Sequence, residues 1–161
     1  MEKELLEKDI PWGYPLCFNG DCANKDKCLH YLAQLLTSKE RNYGNAIYPT
    51  AWQNGECKCY NEKKLVQKAW GFKGLYKNVP RYLVAEARRR VRTYFGSGMS
   101  VYYRVNNGEN MLWPKQQEEI MKIVAEFGNT EGVKFDHYVT DWNFEYLKYS
   151  HTGNEMFPHW E

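Results

Sequence analysis

Apolar positions recur most regularly between residues 80 and 95, where Leu83, Val84, Ala87, Val91, Tyr94 and Phe95 fall on one stripe at helical spacing. An amphipathic helix is predicted there, with Pro80 suited to its first turn and Gly96 to its stop. At about 100° per residue, Arg81, Arg88 and Arg92 lie within roughly 40° of one another on the opposite face, with Arg89 on the flank. The helix therefore carries an arginine ridge. Ile120, Ile123, Val124 and Phe127 repeat the pattern behind Pro114, predicting a second helix over 114–127 that ends at Gly128-Asn129. Between the two, the Val- and Tyr-rich residues 99–105 read as a strand. Asn107-Gly108 then reads as a tight turn, returning residues 110–113 as a hairpin partner.

Upstream, Leu29, Leu32, Ala33 and Leu36 predict a helix over 27–36 capped by Asp26. Cys28 falls in its first turn, where the helix dipole favours a negative group. Residues 37–56, interrupted by Gly44, Pro49 and Gly55, read as loop with one short strand near 46–48, and residues 65–72 fit a strand or a short helix equally. The fold class predicted is a small single α+β domain: two main amphipathic helices flanking a short β-hairpin, behind a Cys-rich loop-helix amino-terminal part. Residues 1–60 form that Cys-rich part and residues 61–130 the helix, hairpin and helix core. Residues 131–161 form an aromatic and acidic tail of irregular structure that packs back on the body.

At 161 residues the chain is most simply one domain, large enough to bury roughly 70% of the surface its unfolded form exposes. No window approaches the ~20 apolar residues of a membrane span, and the acidic amino terminus has no signal-like apolar run. A soluble, cytoplasmic protein without a membrane partner is expected. The net charge of +2 hides an asymmetry: residues 58–104 carry twelve Lys/Arg against two Glu, net +10, while residues 1–57 are net −2 and residues 105–161 net −6. A basic middle between acidic ends serves either as a face for a polyanion or as internal charge complementarity.

The candidate chemistry sits in one third of the chain. All five cysteines, Cys17, Cys22, Cys28, Cys57 and Cys59, fall between residues 17 and 59. In a reducing compartment grouped cysteines more often bind metal than form bridges, and an odd count fits a fully paired disulfide framework badly. Cys17, Cys22 and Cys28 with Cys57 or Cys59 would supply four thiolates for tetrahedral zinc, and His30 could replace one. Four such ligands leave no open position, so the metal's role would be structural. The four- and five-residue gaps between the first three cysteines differ from the two-residue gap of zinc knuckles. A gap of four also occurs in plant-type ferredoxins, which keeps an iron–sulfur cluster as an alternative. A redox thiol pair, or simply buried reduced cysteines packing as small hydrophobes, are the remaining readings.

The blocks Cys-Phe-Asn-Gly-Asp-Cys-Ala-Asn-Lys-Asp-Lys-Cys-Leu-His-Tyr-Leu-Ala, Ala-Trp-Gly-Phe, Arg-Thr-Tyr-Phe-Gly, Val-Tyr-Tyr-Arg and Pro-Lys-Gln-Gln-Glu-Glu-Ile occur here in one order. In this the chain resembles an uncharacterised family of small proteins from gut Bacteroidales, domain of unknown function 6078, over about residues 12–145. The resemblance implies no activity. It implies that Cys57 matches the family's single later cysteine and that Cys59 is a local addition. Family members tend to place Ser or Thr before the proline of the last helix, where this chain has Trp113, so a capping hydroxyl is missing.

Three functional classes remain. The arginines Arg81, Arg88, Arg89, Arg92 and Arg104 would contact nucleic acid or another polyanion, or an acidic protein partner, or else form a solvated helix face. No Gly-rich phosphate loop, nucleophile elbow or His-Glu-x-x-His pattern occurs, and no catalytic residue is nominated. The histidines of Asp136-His137, His151 and His159 are more simply packed or surface groups.

Overall fold

The computed structural model describes residues 3–96 and 99–145. It is a small α+β fold with helices α1 (Leu29–Leu36), α2 (Val84–Tyr94), α3 (Met99–Asn106) and α4 (Pro114–Ala125). Its strands are β1 (Trp52–Gln53), β2 (Glu56–Cys57), β3 (Leu65–Trp70) and β4 (His137–Trp142), in two pairs, β1 with β2 and β3 with β4. The chain divides into two compact units, Met1–Leu65 with Trp142–Glu161, and Val66–Asp141. Among the described residues no helix is long and apolar enough to cross a membrane.

In the first unit Tyr14, Leu16, Leu29, Ala33 and Phe144 are buried around α1. This helix starts later than the Asp26 cap predicts. Lys25–Lys27 form a 3₁₀ turn instead, and Cys28 takes the N-cap position with ψ 120° because it bridges Glu62 in an antiparallel pairing. The short strand expected near 46–48 is a single parallel bridge, Leu16 to Ala46. Asn54 and Gly55, with φ of 54° and 79°, turn β1 into β2 with both central residues in the left-handed region that a tight hairpin turn needs.

The second unit is built on Phe72, whose ring lies 4.8 Å from Tyr102, 6.1 Å from Phe95 and 6.2 Å from Phe135, centroid to centroid. Helix α2 buries Ala87 and Val91 and packs on α4, which buries Ile120 and Val124, as the apolar stripes predict. Residues 80–83 precede α2 as a turn, so Arg81 lies outside the helix. The missing hydroxyl before Pro114 is compensated: the Gln116 carboxamide oxygen accepts the Trp113 N–H at 2.9 Å.

The expected hairpin between the main helices is instead α3. Tyr102 and Val105 are its buried positions, so the Val/Tyr run is read at a spacing of three rather than two. Asn107-Gly108 ends this helix: Glu109 N–H reaches the Arg104 carbonyl and Gly108 N–H the Val105 carbonyl, a Schellman closure with φ 81° at Gly108. A Cβ on Gly108 would stand 2.9 Å from the Trp70 indole. Leu112 bridges Ala69 rather than returning against residues 99–105.

The strand alternative for residues 65–72 is the observed one. β3 meets β4 antiparallel, with the Gln67 side chain donating to Thr140, Lys68 pairing with Asp141 at 2.7 Å, and Trp70 stacked 3.8 Å from His137. β4 falls in the tail expected to be irregular, while Phe135 and Phe144 are buried as expected of tail aromatics. The tail beyond residue 145, with His151 and His159, lies outside the described residues.

The Gly71-Phe72-Lys73-Gly74 turn wraps the Asp136 carboxylate, which accepts the Lys73 and Gly74 N–H groups at 2.8 Å each. Gly71 has φ 86°, and a Cβ there would stand 2.6 Å from the carboxylate. Asp136→Ala is expected to destabilise the protein by about 2 kcal/mol in urea titrations. Gly71→Ala alone is expected to cost about 3 kcal/mol, and less in an Asp136→Gly background, which removes both the carboxylate oxygen at 2.6 Å and the Cβ at 2.7 Å.

Candidate functional site

The cysteines are placed by backbone pairing, not by one continuous element. Cys17 N–H donates to the His30 carbonyl at 3.0 Å, and the flanking Leu16 is held on both sides by Asn45 and Ile47. Cys22 follows an Asx turn in which the Asp21 N–H meets the Asn19 side chain, and the Lys25 ammonium closes the loop onto the Gly20 carbonyl at 2.7 Å. Residues 57–63 then run beside 27–29, with Leu29 N–H on the Asn61 carbonyl and Lys63 N–H on the Lys27 carbonyl, both at 2.7 Å. This brings Cys57 and Cys59 to the segment that carries Cys28.

Four of the five cysteines, Cys17, Cys22, Cys28 and Cys57, line one cavity of about 570 Å³ walled by Phe18, Tyr31, Tyr48, Trp52 and Tyr60. Cys59 lies close enough to Cys17 and Cys28 for both to act on its thiol. None is in a disulfide; Cys28 is buried and the other four are half-buried. Among the described residues no three His, Cys, Asp or Glu side chains are assembled as a ready ligand set for one ion. The thiols thus face a shared space without meeting at a point. Lys25, on the wall of the same cavity, is its one lining cation among the described residues.

Electrostatics follow from this crowding. Burial pushes the Cys57 thiol up; a backbone hydrogen bond at Cys59 opposes the rise, and the neighbouring thiols of Cys59, Cys28 and Cys17 add to it. Burial likewise pushes Cys59 up, helped by Cys17 and Cys28. Each negative charge in the cluster disfavours the next, the condition that a cation relieves.

His30 does not serve as a replacement ligand. It is buried, its Nδ1 stands 2.6 Å from the Pro15 carbonyl oxygen and its Nε2 3.5 Å from the Tyr14 hydroxyl, with the two rings stacked at 4.5 Å. Nδ1–H donates and Nε2 accepts, so both nitrogens are engaged. Sequence reasoning also missed Asn61, whose Nδ2 donates at 2.8 Å to both the Tyr14 hydroxyl and the Asn143 carbonyl. No local pattern marks an asparagine of this kind. Burial raises the Tyr14 phenol well above its usual value, with the Asn61 bond opposing and Cys28 adding to the rise.

The arginines separate into two groups in the second unit. Arg89 makes two hydrogen bonds to Glu86, which hold that carboxyl below its usual range, and Arg90 reaches Glu126 at 3.4 Å. Arg81, Arg88, Arg92 and Arg104 have no carboxylate partner among the described residues. Arg88 lies over the Tyr76 ring, 5.7 Å from its centroid, and Arg92 is 3.8 Å from the Met99 sulfur. Asp136 and His137 form no acid–base pair: the carboxylate is held by backbone amides and the imidazole is stacked on Trp70.

The model of a family of unknown function, DUF6078, matches residues 1–144. No curated protein and no solved structure matches the chain.

Because Cys57 and Cys59 ionise at higher pH in the fold than when unfolded, their contribution to stability is complete below the unfolded thiol value and is lost as pH rises through the folded one. Melting of metal-free protein is expected to weaken as pH rises from about 8.5, the ordinary thiol range, and to weaken less in Cys57→Ser/Cys59→Ser. Alkylation of these two thiols at pH 7 is expected to be slower than that of free cysteine.

Proposed function

The chain belongs to this family of unknown function, and we propose that it is a small thiol-rich metal-binding domain acting as a binding module. Cys17, Cys22, Cys28 and Cys57, with Cys59 as the alternate fourth ligand, close around one zinc ion. The observation that carries this reading is the gathering of cysteines from separate stretches of chain around one cavity, none of them in a disulfide. Zinc takes four thiolates at about 2.3 Å and asks for no redox chemistry. The thiols must therefore draw inward on binding. The parts that would move are the exposed two-residue strands β1 and β2, which carry Cys57, and the Asn19–Lys25 loop, which carries Cys22.

With four protein ligands the ion is a staple between the Cys17–Cys28 loop and the segment around Cys57, and it activates no water. Lys25 would offset part of the negative charge of a tetrathiolate site. An iron–sulfur cluster is the second reading, favoured by the breadth of the cavity relative to a single ion. As a module, the domain would meet a partner of negative charge, nucleic acid or an acidic protein. Support for that is the set of arginines without a carboxylate among the described residues, Arg81, Arg88, Arg92 and Arg104.

Elemental analysis of protein purified without oxygen is expected to give about one zinc per chain, lost in Cys17→Ser/Cys28→Ser. Iron with visible absorption would replace zinc by the cluster reading, and metal-free protein would overturn both. Chelation is expected to raise amide exchange in residues 3–65 while α2 and α4 keep their protection; unchanged exchange in residues 3–65 counts against the staple. Zinc affinity is expected to fall as pH is lowered, since Cys57 and Cys59 must release protons to bind.

A further inference from the structure

Tyr76 and Tyr102 are both more than nine-tenths buried, and their hydroxyl oxygens lie 3.3 Å apart. A phenol has one O–H to donate, so a pair bonded to each other uses one of its two hydrogens. The second has no acceptor among the described residues. A buried O–H left without an acceptor is costly, and native structures nearly always supply one.

The groups around this pair are also donors. Arg88 lies over the Tyr76 ring, and Arg92, half-buried one helical turn further on, is near enough to act on the same phenol. Burial drives the Tyr76 phenol far above its usual value, the Tyr102 bond adds to this, and Arg88 and Arg92 oppose it. Neither arginine has a carboxylate partner among the described residues, although Arg89 and Arg90 on the same helix each have one. Arg88 over the Tyr76 ring, and Arg92 one turn further on with the weakly accepting Met99 sulfur at 3.8 Å, thus accompany an unused hydroxyl hydrogen with no carboxylate among the described residues.

We propose that Arg88, Arg92 and the Tyr76–Tyr102 hydroxyl pair form a binding site for a phosphoryl group. Planar guanidinium forks match phosphate oxygens, and charge-assisted bonds from two arginines and a phenol provide the acceptor-seeking donors that such a group satisfies. A carbonyl or a water would meet the hydroxyl alone; a divalent oxyanion meets the hydroxyl and both cations at once. The inference rests on the anionic-partner reading and sharpens it to one place, and it is independent of the cysteine cavity.

The same chemistry comes from a free phosphate or from the backbone of a nucleic acid strand, and two probes separate them. Full-length protein is titrated with inorganic phosphate against chloride at matched ionic strength, followed by the amide and arginine side-chain NMR signals, and separately with a short single-stranded oligonucleotide. Saturable phosphate binding is expected, weakened about tenfold in Tyr102→Phe, which keeps the ring and removes one hydroxyl, and lost in Arg88→Gln/Arg92→Gln. Arg81→Gln and Arg104→Gln are expected to leave it unchanged. Oligonucleotide binding that also requires Arg88 and Arg92 assigns the site to a phosphodiester backbone; phosphate binding without it assigns a small phosphorylated ligand.

Non-saturable shifts, or equal affinity in Arg88→Gln/Arg92→Gln, would overturn the site. Oligonucleotide binding that depends only on Arg81 and Arg104 would overturn it too, while leaving the broader anionic-partner reading in place. Because Tyr102 packs on Phe72, variant melting curves are recorded alongside, and Arg92→Lys, which keeps the charge but not the fork, serves as a second probe expected to weaken phosphate binding without unfolding.

Discussion

One buried side chain, Asn61, holds the cysteine-bearing unit in register. Its backbone carbonyl accepts the Leu29 N–H, its Nδ2 donates to the Tyr14 hydroxyl and the Asn143 carbonyl, and its Oδ1 accepts from the Asn143 side-chain Nδ2 at 3.4 Å. Four stretches of chain are thereby tied at one point, three of them immediately beside cysteines: Tyr14 before Cys17, Leu29 after Cys28, and Asn61 after Cys57 and Cys59. Inside a low-dielectric core each of these bonds is strong, and each broken one would strand a buried polar group. The positions of the thiols follow from this knot more than from the loops that carry them.

How much of this was legible in the sequence differs by element. The stripes that bury Val91 and Val124, and the proline that starts α4, are local signals, and local signals predict α2 and α4 well. Residues 99–106 fail because Val and Tyr at alternate positions satisfy a strand template, while burial of Tyr102 and Val105 follows a helical one; Asn107-Gly108 fits the end of either. The same dipeptide at 54–55 does turn a hairpin, although its flanking strands are only two residues long and carry no visible alternation. The pairing of β3 with β4 joins segments some seventy residues apart, and nothing local encodes it.

The candidate site shows the same division. Concentration of five cysteines in one third of the chain correctly anticipates that they gather. It misplaces His30, whose ring is engaged beneath them with Tyr14 and the Pro15 carbonyl. The arginine ridge is legible as a helical period, but periodicity cannot tell which cations meet a carboxylate; that depends on Glu86 one turn away and on Glu126 contributed from beyond α4. The strongly basic middle of the sequence is therefore partly internal complementarity and partly a surface left positive.

The close approach of Gly108 to the Trp70 indole reaches beyond packing. Position 108 is restricted twice, by its left-handed backbone and by the ring above it, so a side chain there requires both a strained turn and a smaller residue at 70. The two positions are constrained as a pair in one direction: the glycine leaves room for the indole, and a side chain at 108 needs both a different turn at the end of α3 and an emptier position 70, so neither site can be varied as if the other were absent.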